Sequence, residues 1–188
     1  MEFLAEMWMP ILASAVAVWL VSSILHILLP IHKSDYMGMP GEAEILEVMR
    51  TQNLGVGEYM FPHAESMEDL KNQEMIDKFV NGPVGVISVM PSGPPTMGKQ
   101  LIQWFFYAVL ISIFAAYFAS FVDVADSKVA FRLTGTVAVL GYAATHIPNS
   151  IWKGQKWSTT LKFTFDGVVY GLVTGAVFAW LGDWGGVA

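Results

Sequence analysis

Four long apolar stretches limit the folds that this sequence can adopt. A helix needs about 20 apolar residues to cross the hydrocarbon core of a bilayer. Stretches of roughly this length run over residues 8–29, 101–122, 129–147 and 163–180. Only 14% of the residues are charged, against about 25% in an average globular domain. The sequence therefore predicts an all-α membrane protein with four transmembrane helices.

The positions of Lys and Arg predict how these helices are oriented. With four spans, both termini lie on one side of the membrane, and residues 31–100 and 149–162 lie on the other. Cytoplasmic loops carry an excess of Lys and Arg. The side with residues 31–100 carries eight of these residues, whereas the opposite side carries only Lys128 and Arg132. We therefore expect residues 31–100 in the cytoplasm and both termini outside.

Residues 31–100 are too long for a simple connection between two helices and have a secondary-structure pattern of their own. Apolar residues recur at helical spacing after Gly41, and Ser66 with Asp69 forms a variant of the capping box that starts helices. Two short stretches favour extended structure, the second as a buried strand. We expect a small α+β cytoplasmic insertion between the first and second spans. The predicted helices cover residues 41–50 and 66–79, the predicted strands 57–62 and 84–90, and the predicted domains 1–30, 31–100 and 101–188.

Three glycines in the fourth span predict close helix packing. Gly167, Gly171 and Gly175 recur every four residues and therefore line one face of the helix. Small residues on such a face let a neighbouring backbone approach closely. This helix-packing face serves either the four-helix bundle itself or a contact with another subunit, which includes a second copy of the chain.

Two histidines near the cytoplasmic ends of spans are candidate cofactor-binding residues. His26 lies about one turn inside the end of the first span, and His146 lies near the end of the third. Histidines on two helices at a similar depth can ligate a b-type haem or a chlorin. The alternative is that both imidazoles are interfacial groups with a structural role only.

The polar residues that follow the first span are candidate metal ligands. His32 and Asp35 come directly after Pro30, which ends the helix or bends its exit. An imidazole and a carboxylate can join the neighbouring histidines in a metal site. The alternative is a polar exit from the membrane. Arg132 and Asp166 are expected near opposite faces of the membrane, each close enough to an interface to be hydrated.

Several function classes are disfavoured by the sequence. The chain has no cysteine, which excludes disulfides, thiolate metal sites and iron–sulfur clusters. It has no basic run, so we expect no nucleic-acid partner. Serine-hydrolase and metalloprotease motifs are absent from the sequence. We therefore predict no catalytic residues and favour a protein that is not an enzyme.

Three segments of the sequence carry a family resemblance: HKSDY after the first span, YMFPH, and NGPVGVISVMPSGPPTMGKQLIQWFFY leading into the second span. With these segments the chain resembles a group of uncharacterised bacterial four-helix inner-membrane proteins. This resemblance covers nearly the whole chain, and its most distinctive part is GPVG followed by PSGPPTMG. The resemblance implies a bacterial inner membrane and a shared topology, and it implies no activity.

Three functional hypotheses follow. The first is a non-catalytic membrane subunit that packs within or beside a larger protein complex, which the glycine face and the acidic 31–100 segment favour. The second is a haem- or pigment-binding redox protein that uses His26 and His146. The third is a small transporter or channel. Ionisable groups near the bilayer centre are typical of transporters, and the predicted span centres have none.

Overall fold

The computed structural model describes residues 2–122, 124 and 126–182. It is mostly helical, with three helices that are long and apolar enough to cross a membrane: Trp8–Leu28, Gly98–Ala119 and Trp157–Leu181. The predicted third span corresponds to a helix of 16 residues, which is shorter than the about 20 residues that a bilayer core requires. Three of the four predicted transmembrane helices therefore correspond to candidate spans, and the fourth is not confirmed.

The helices and strands follow one another in a simple order. Among the described residues, α1 to α8 are Glu2–Glu6, Trp8–Ser23, Glu42–Thr51, Gln73–Asn81, Gly98–Ala119, Ser127–Tyr142, Ile147–Trp152 and Trp157–Leu181, and the strands β1 and β2 are Gly57–Phe61 and Gly85–Val89. A π-helical turn, Ile24–Leu28, continues α2, and 3-10 turns occupy Pro30–Ser34, Asp69–Lys71 and Ala144–His146.

The chain divides into two compact units. The first, the helical bundle, comprises residues 1–35, 96–150 and 155–188, and the second comprises residues 36–95 and 151–154. We predicted that the insertion begins at residue 31. In the structure, residues 31–35 group with the bundle, and the second unit begins at residue 36. The last six residues, for which we predicted a position outside the membrane, lie outside the described residues.

The second unit contains the predicted helices and strands. β1 and β2 pair in an antiparallel two-stranded sheet, with Gly57 opposite Val89 and Phe61 opposite Gly85. The strand predicted to be buried is only partly buried, because a two-stranded sheet leaves one face open to solvent. Ser66 and Asp69 form the predicted reciprocal pair of capping bonds, but a 3-10 turn follows them and α4 begins later, at Gln73.

The glycine face of α8 packs against α6 within the bundle. A Cβ atom built on Gly167 would lie 2.5 Å from backbone atoms of Ala143, and one built on Gly171 would lie 2.6 Å from the Val139 nitrogen. A Cβ on Gly175 would lie 2.8 Å from the Phe131 carbonyl oxygen. Real Cβ atoms do not make such contacts, so all three glycines allow an approach that no other residue would permit.

Polar side chains inside the bundle bond to other helices. The buried Ser14 hydroxyl donates to Ser112 across α2 and α5 at 2.9 Å. The Trp104 indole of α5 donates to Ser22 at 2.8 Å. Polar groups at membrane depth must be satisfied within the protein, and these bonds fix the register between α2 and α5.

We expect Gly171→Leu to separate α6 from α8 and destabilise the bundle. The new side chain would collide with the Val139 backbone, which cannot move aside as a flexible side chain can. Overpacking of this kind costs about 1–3 kcal/mol. Thermal unfolding in detergent, followed by circular dichroism, measures the loss. Gly98→Ala is the matched control, because nothing lies within 4 Å of a Cβ built there. An equal melting temperature for both variants would contradict the packing described here.

Candidate functional site

The end of the first apolar helix bends back toward the bundle. The Leu29 amide donates to the Ile24 carbonyl at 3.2 Å, which is the bond of a π-helical turn. Leu29 is extended, and Pro30 then starts a 3-10 turn. Such π turns inside α-helices are often found at functional sites. The result is that the His26 and His32 rings stack with centroids 4.3 Å apart.

The helix that carries Asp166 begins earlier than the sequence predicted. We expected the fourth span to begin at residue 163, which would place Asp166 near an interface. α8 begins at Trp157, so Asp166 lies about 14 Å along the helix, beside the end of the first candidate span, where it meets His26 and His32. The difference arises because Lys162 is part of the helix and pairs with Asp35. The Asp166 side chain is only 1% exposed.

His26, His32 and Asp166 meet at one point of the bundle. The His32 Nε2 atom is 2.9 Å from Asp166 Oδ2, and the His26 Nε2 atom is 4.0 Å from the same oxygen. One potential ligand atom from each residue lies within 4.8 Å of the others. We call these three side chains the His–His–Asp cluster. Their elements are the π turn, the 3-10 turn after Pro30, and the middle of α8.

Asp35 holds the other side of the His32 ring. The His32 Nδ1 atom lies 2.6 Å from Asp35 Oδ2, and the Lys162 ammonium donates to Asp35 Oδ1 at 2.7 Å. Burial alone would raise the pKa of Asp35, but the hydrogen bonds from Lys162 and His32 hold this pKa below its ordinary value. An ionised carboxylate only accepts hydrogen bonds, so Nδ1 carries the ring proton. In a neutral imidazole the Nε2 lone pair then faces Asp166.

The facing atoms of the cluster lack hydrogen bonds. Within the described part of the chain, His32 Nε2 and both Asp166 carboxylate oxygens are buried without a hydrogen-bond partner. The 2.9 Å between His32 and Asp166 satisfies an ion-pair distance, but its angle is not that of a hydrogen bond. An unsatisfied buried carboxylate costs several kcal/mol, so this arrangement calls for a positive species between the two side chains.

The sequence-predicted ligands are thus partly brought together. His26, predicted to bind a cofactor, and His32, predicted to bind a metal, belong to the cluster. Asp35, also predicted as a metal ligand, is not a member of the cluster and contacts the Nδ1 atom of His32 instead. The His146 ring stacks on Phe163 with centroids 5.1 Å apart; it lines a cavity together with His26 but is not part of the cluster.

Sequence reasoning missed Asp166 as a member of the site. The available signal was an acidic residue with seven apolar or glycine residues directly after it in the fourth apolar stretch, because ionisable residues within spans are functional candidates by default. The contact of Asp166 with His32 had no signal in the sequence, since it depends on the bend at Leu29 and Pro30.

Two imidazoles and a carboxylate form a donor set suited to a divalent transition metal. Nitrogen and oxygen ligands of this kind bind Zn²⁺, and a two-His, one-carboxylate set also binds Fe²⁺. Three protein ligands leave at least one coordination position open to water or another molecule. The carboxylate behind His32 is the usual partner of a metal-bound imidazole.

No family model matches the chain, and no curated protein or solved structure matches it at a significant level. The resemblance to bacterial four-helix inner-membrane proteins therefore stays a prediction, and the assignment of function depends on the site itself.

We expect the ionised Asp35 side chain to make stability depend on pH. A carboxyl whose pKa is lower in the folded state stabilises the fold above its ordinary value, near 3.8, and loses this contribution as the pH falls through the folded value. The wild-type protein should therefore lose stability between about pH 5 and pH 2. Asp35→Asn should lose less over the same range, measured by thermal unfolding in detergent with a chelator present.

The control for this titration is Glu65→Gln. Glu65 is exposed in the second unit and should leave the pH dependence of the wild type unchanged. If Asp35→Asn and the wild type showed parallel melting curves from pH 7 to pH 3, the contacts of Asp35 with Lys162 and His32 would not stabilise the fold.

Proposed function

We propose that this chain is an integral membrane protein that binds a divalent transition-metal ion within its helical bundle. The ligands are His26 Nε2, His32 Nε2 and the Asp166 carboxylate. One observation carries the proposal: the His32 ring is fixed by Asp35 at Nδ1, while its Nε2 atom faces a buried Asp166 oxygen at 2.9 Å without hydrogen-bonding to it.

The spacing of the atoms supports a shared ion. Metal bonds to nitrogen and oxygen are about 2.0–2.2 Å long, so two ligands of one ion at tetrahedral or octahedral angles lie about 3 Å apart. The His32–Asp166 distance of 2.9 Å fits this value. The His26 Nε2 atom is 4.0 Å from the same oxygen, and its side chain is 39% exposed. Because its ring stacks on that of His32, it must turn out of this stack, on its exposed side, to complete the set.

A proton is the alternative occupant of this position. His32 could take up a second proton and form an imidazolium between Asp35 and Asp166, because both carboxylates are within ion-pair distance. This alternative needs only His32 and Asp166. The metal proposal also requires His26, and it therefore makes a separate prediction for that residue.

We expect the protein purified without chelators to contain about one equivalent of metal, or to take up Co²⁺ after chelation. Replacing His26, His32 or Asp166 removes a ligand, so His26→Ala, His32→Ala and Asp166→Asn should each lower the Co²⁺ affinity by 100-fold or more. Elemental analysis by mass spectrometry gives the metal content. The visible absorption of bound Co²⁺ gives the affinity and the coordination geometry.

Two other histidines provide matched controls. His63→Ala removes an exposed imidazole from the second unit and should bind Co²⁺ as the wild type does. His146→Ala should also retain the metal, whereas the haem hypothesis requires a visible haem band that this variant loses. Wild-type protein that neither contains metal nor binds Co²⁺ would refute the metal proposal and leave the proton as the occupant.

Asp35 is a positioning residue in this proposal. We expect Asp35→Asn to weaken Co²⁺ binding by about 10–100-fold, as losses of a carboxylate behind a metal-bound histidine do. The intensity and shape of the Co²⁺ absorption band should persist at saturation, because all three ligands remain. A new band shape would instead mean that Asp35 itself coordinates the metal.

The membrane setting of the site is also part of the proposal. We propose that α6 and the 3-10 turn after it form a fourth span in a bacterial inner membrane, with residues 36–95 in the cytoplasm. α6 supports this by lining the bundle interior with Ala130, Thr134 and Ala138, none of which is exposed. The excess of Lys and Arg in the insertion and between α7 and α8 supports the orientation.

The other functional hypotheses remain predictions with changed support. The glycines that favoured an accessory subunit pack against α6 in the same chain, so they offer no surface to a partner. The transporter hypothesis gains from Asp166, a buried carboxylate within a candidate span. A metal-binding bundle is compatible with either role.

A further inference from the structure

A cavity opens beside the His–His–Asp cluster. It has a volume of about 270 Å³ and is bounded by α2, the π turn, the start of α5 and α8. His26 and Asp166 line it, so one end of the cavity is the candidate metal site. Its volume is just below the about 300–1,000 Å³ of typical ligand pockets, and it therefore has room for part of a lipid-sized molecule.

One residue of the cavity wall, Tyr170, carries a hydroxyl without a hydrogen-bond partner in the part of the chain that the structure describes. Tyr170 is only 3% exposed. Its hydroxyl is buried and has no hydrogen-bond partner among the described residues. A buried tyrosine hydroxyl normally finds a partner. An oxygen acceptor that reaches this hydroxyl would satisfy it, and the open coordination position of the metal can bind an oxygen of the same molecule.

The remaining wall of the cavity is mainly apolar. Leu101, Trp104 and Phe163 line its interior, and Ile27 and Met97 line its edge. Ile27 is 67% exposed and Met97 is 64% exposed. In a bilayer such exposed apolar side chains contact lipid, so this edge admits molecules that are dissolved in the membrane.

We propose that the cavity binds a lipophilic molecule that ends in a carbonyl-type oxygen, with this oxygen at the metal and the Tyr170 hydroxyl. The apolar part of the molecule lies against Leu101 and Trp104 and extends past Ile27 toward the lipid. The inference rests on the proposed metal site for the binding of the polar group. The apolar wall and the free tyrosine hydroxyl are independent of the metal.

The test uses two hydroxamic acids with the same polar group and different tails. Octanohydroxamic acid and acetohydroxamic acid are titrated into the Co²⁺-loaded protein, and the shift of the Co²⁺ absorption band reports binding. We expect the octyl compound to bind at least 10-fold more tightly. Ser23→Leu, which fills the cavity from α2, should reduce this ratio at least fivefold. Leu12→Phe, an exposed apolar enlargement on the same helix, should leave the ratio unchanged.

Tyr170→Phe tests the polar end separately. Removal of the hydroxyl should weaken both hydroxamic acids by about 2–10-fold, as the loss of one hydrogen bond does, without changing the affinity for Co²⁺. Equal binding of the two compounds to the wild type, or a ratio that Ser23→Leu does not change, would overturn the proposal.

A second readout separates this inference from the metal proposal. If the protein takes up no Co²⁺, 8-bromooctanoic acid is added to the metal-free protein, and its quenching of tryptophan fluorescence is compared between the wild type and Ser23→Leu. Quenching that is stronger in the wild type would support the cavity as a ligand site and refute only the metal. Equal quenching in both would overturn the cavity proposal as well.

Discussion

The burial of the Asp166 carboxylate is the constraint on which the rest of the bundle depends. A charged side chain in the middle of an apolar helix is expensive in a membrane, and a carboxylate with two unbonded oxygens is more so. A π turn and a 3-10 turn bring His32 back to α8, where it faces this carboxylate. Asp35 and Lys162 then fix that return with two further bonds.

The same helix that carries Asp166 also makes the closest helix contact of the bundle. Gly167 follows Asp166 directly and lies against the Ala143 backbone at the end of α6. The carboxylate is therefore held by a helix that is itself packed without free space, which limits how far Asp166 can move from His32. The His26 side of the cluster is different, because a π turn and a partly exposed ring allow adjustment. The site thus combines a rigid carboxylate with an adaptable imidazole.

The apolar helices, the two strands and the separate second unit could be predicted because each depends on local composition or period. The bend at Leu29 could not, since a π turn has no period that distinguishes it from an α-helix over five residues. The start of the fourth helix was mispredicted because Lys162 was taken as a loop residue. Its ammonium is bonded to Ser34 and Asp35, so the charge is tolerated within α8. Histidines were identified as candidates, but their partners depend on tertiary contacts.

The arrangement around His32 is more specific than the stability of the fold requires. A polar helix end needs only one bond for the imidazole, and a neutral residue in place of Asp166 would avoid a buried charge entirely. Instead, Asp35 holds the far side of the ring, and the near side faces a carboxylate at a metal-ligand spacing. The adjoining cavity adds a tyrosine hydroxyl that has no protein partner. An imidazolium at His32 would satisfy the free carboxylate but not the free hydroxyl, whereas one bound ion with one oxygen ligand would satisfy both.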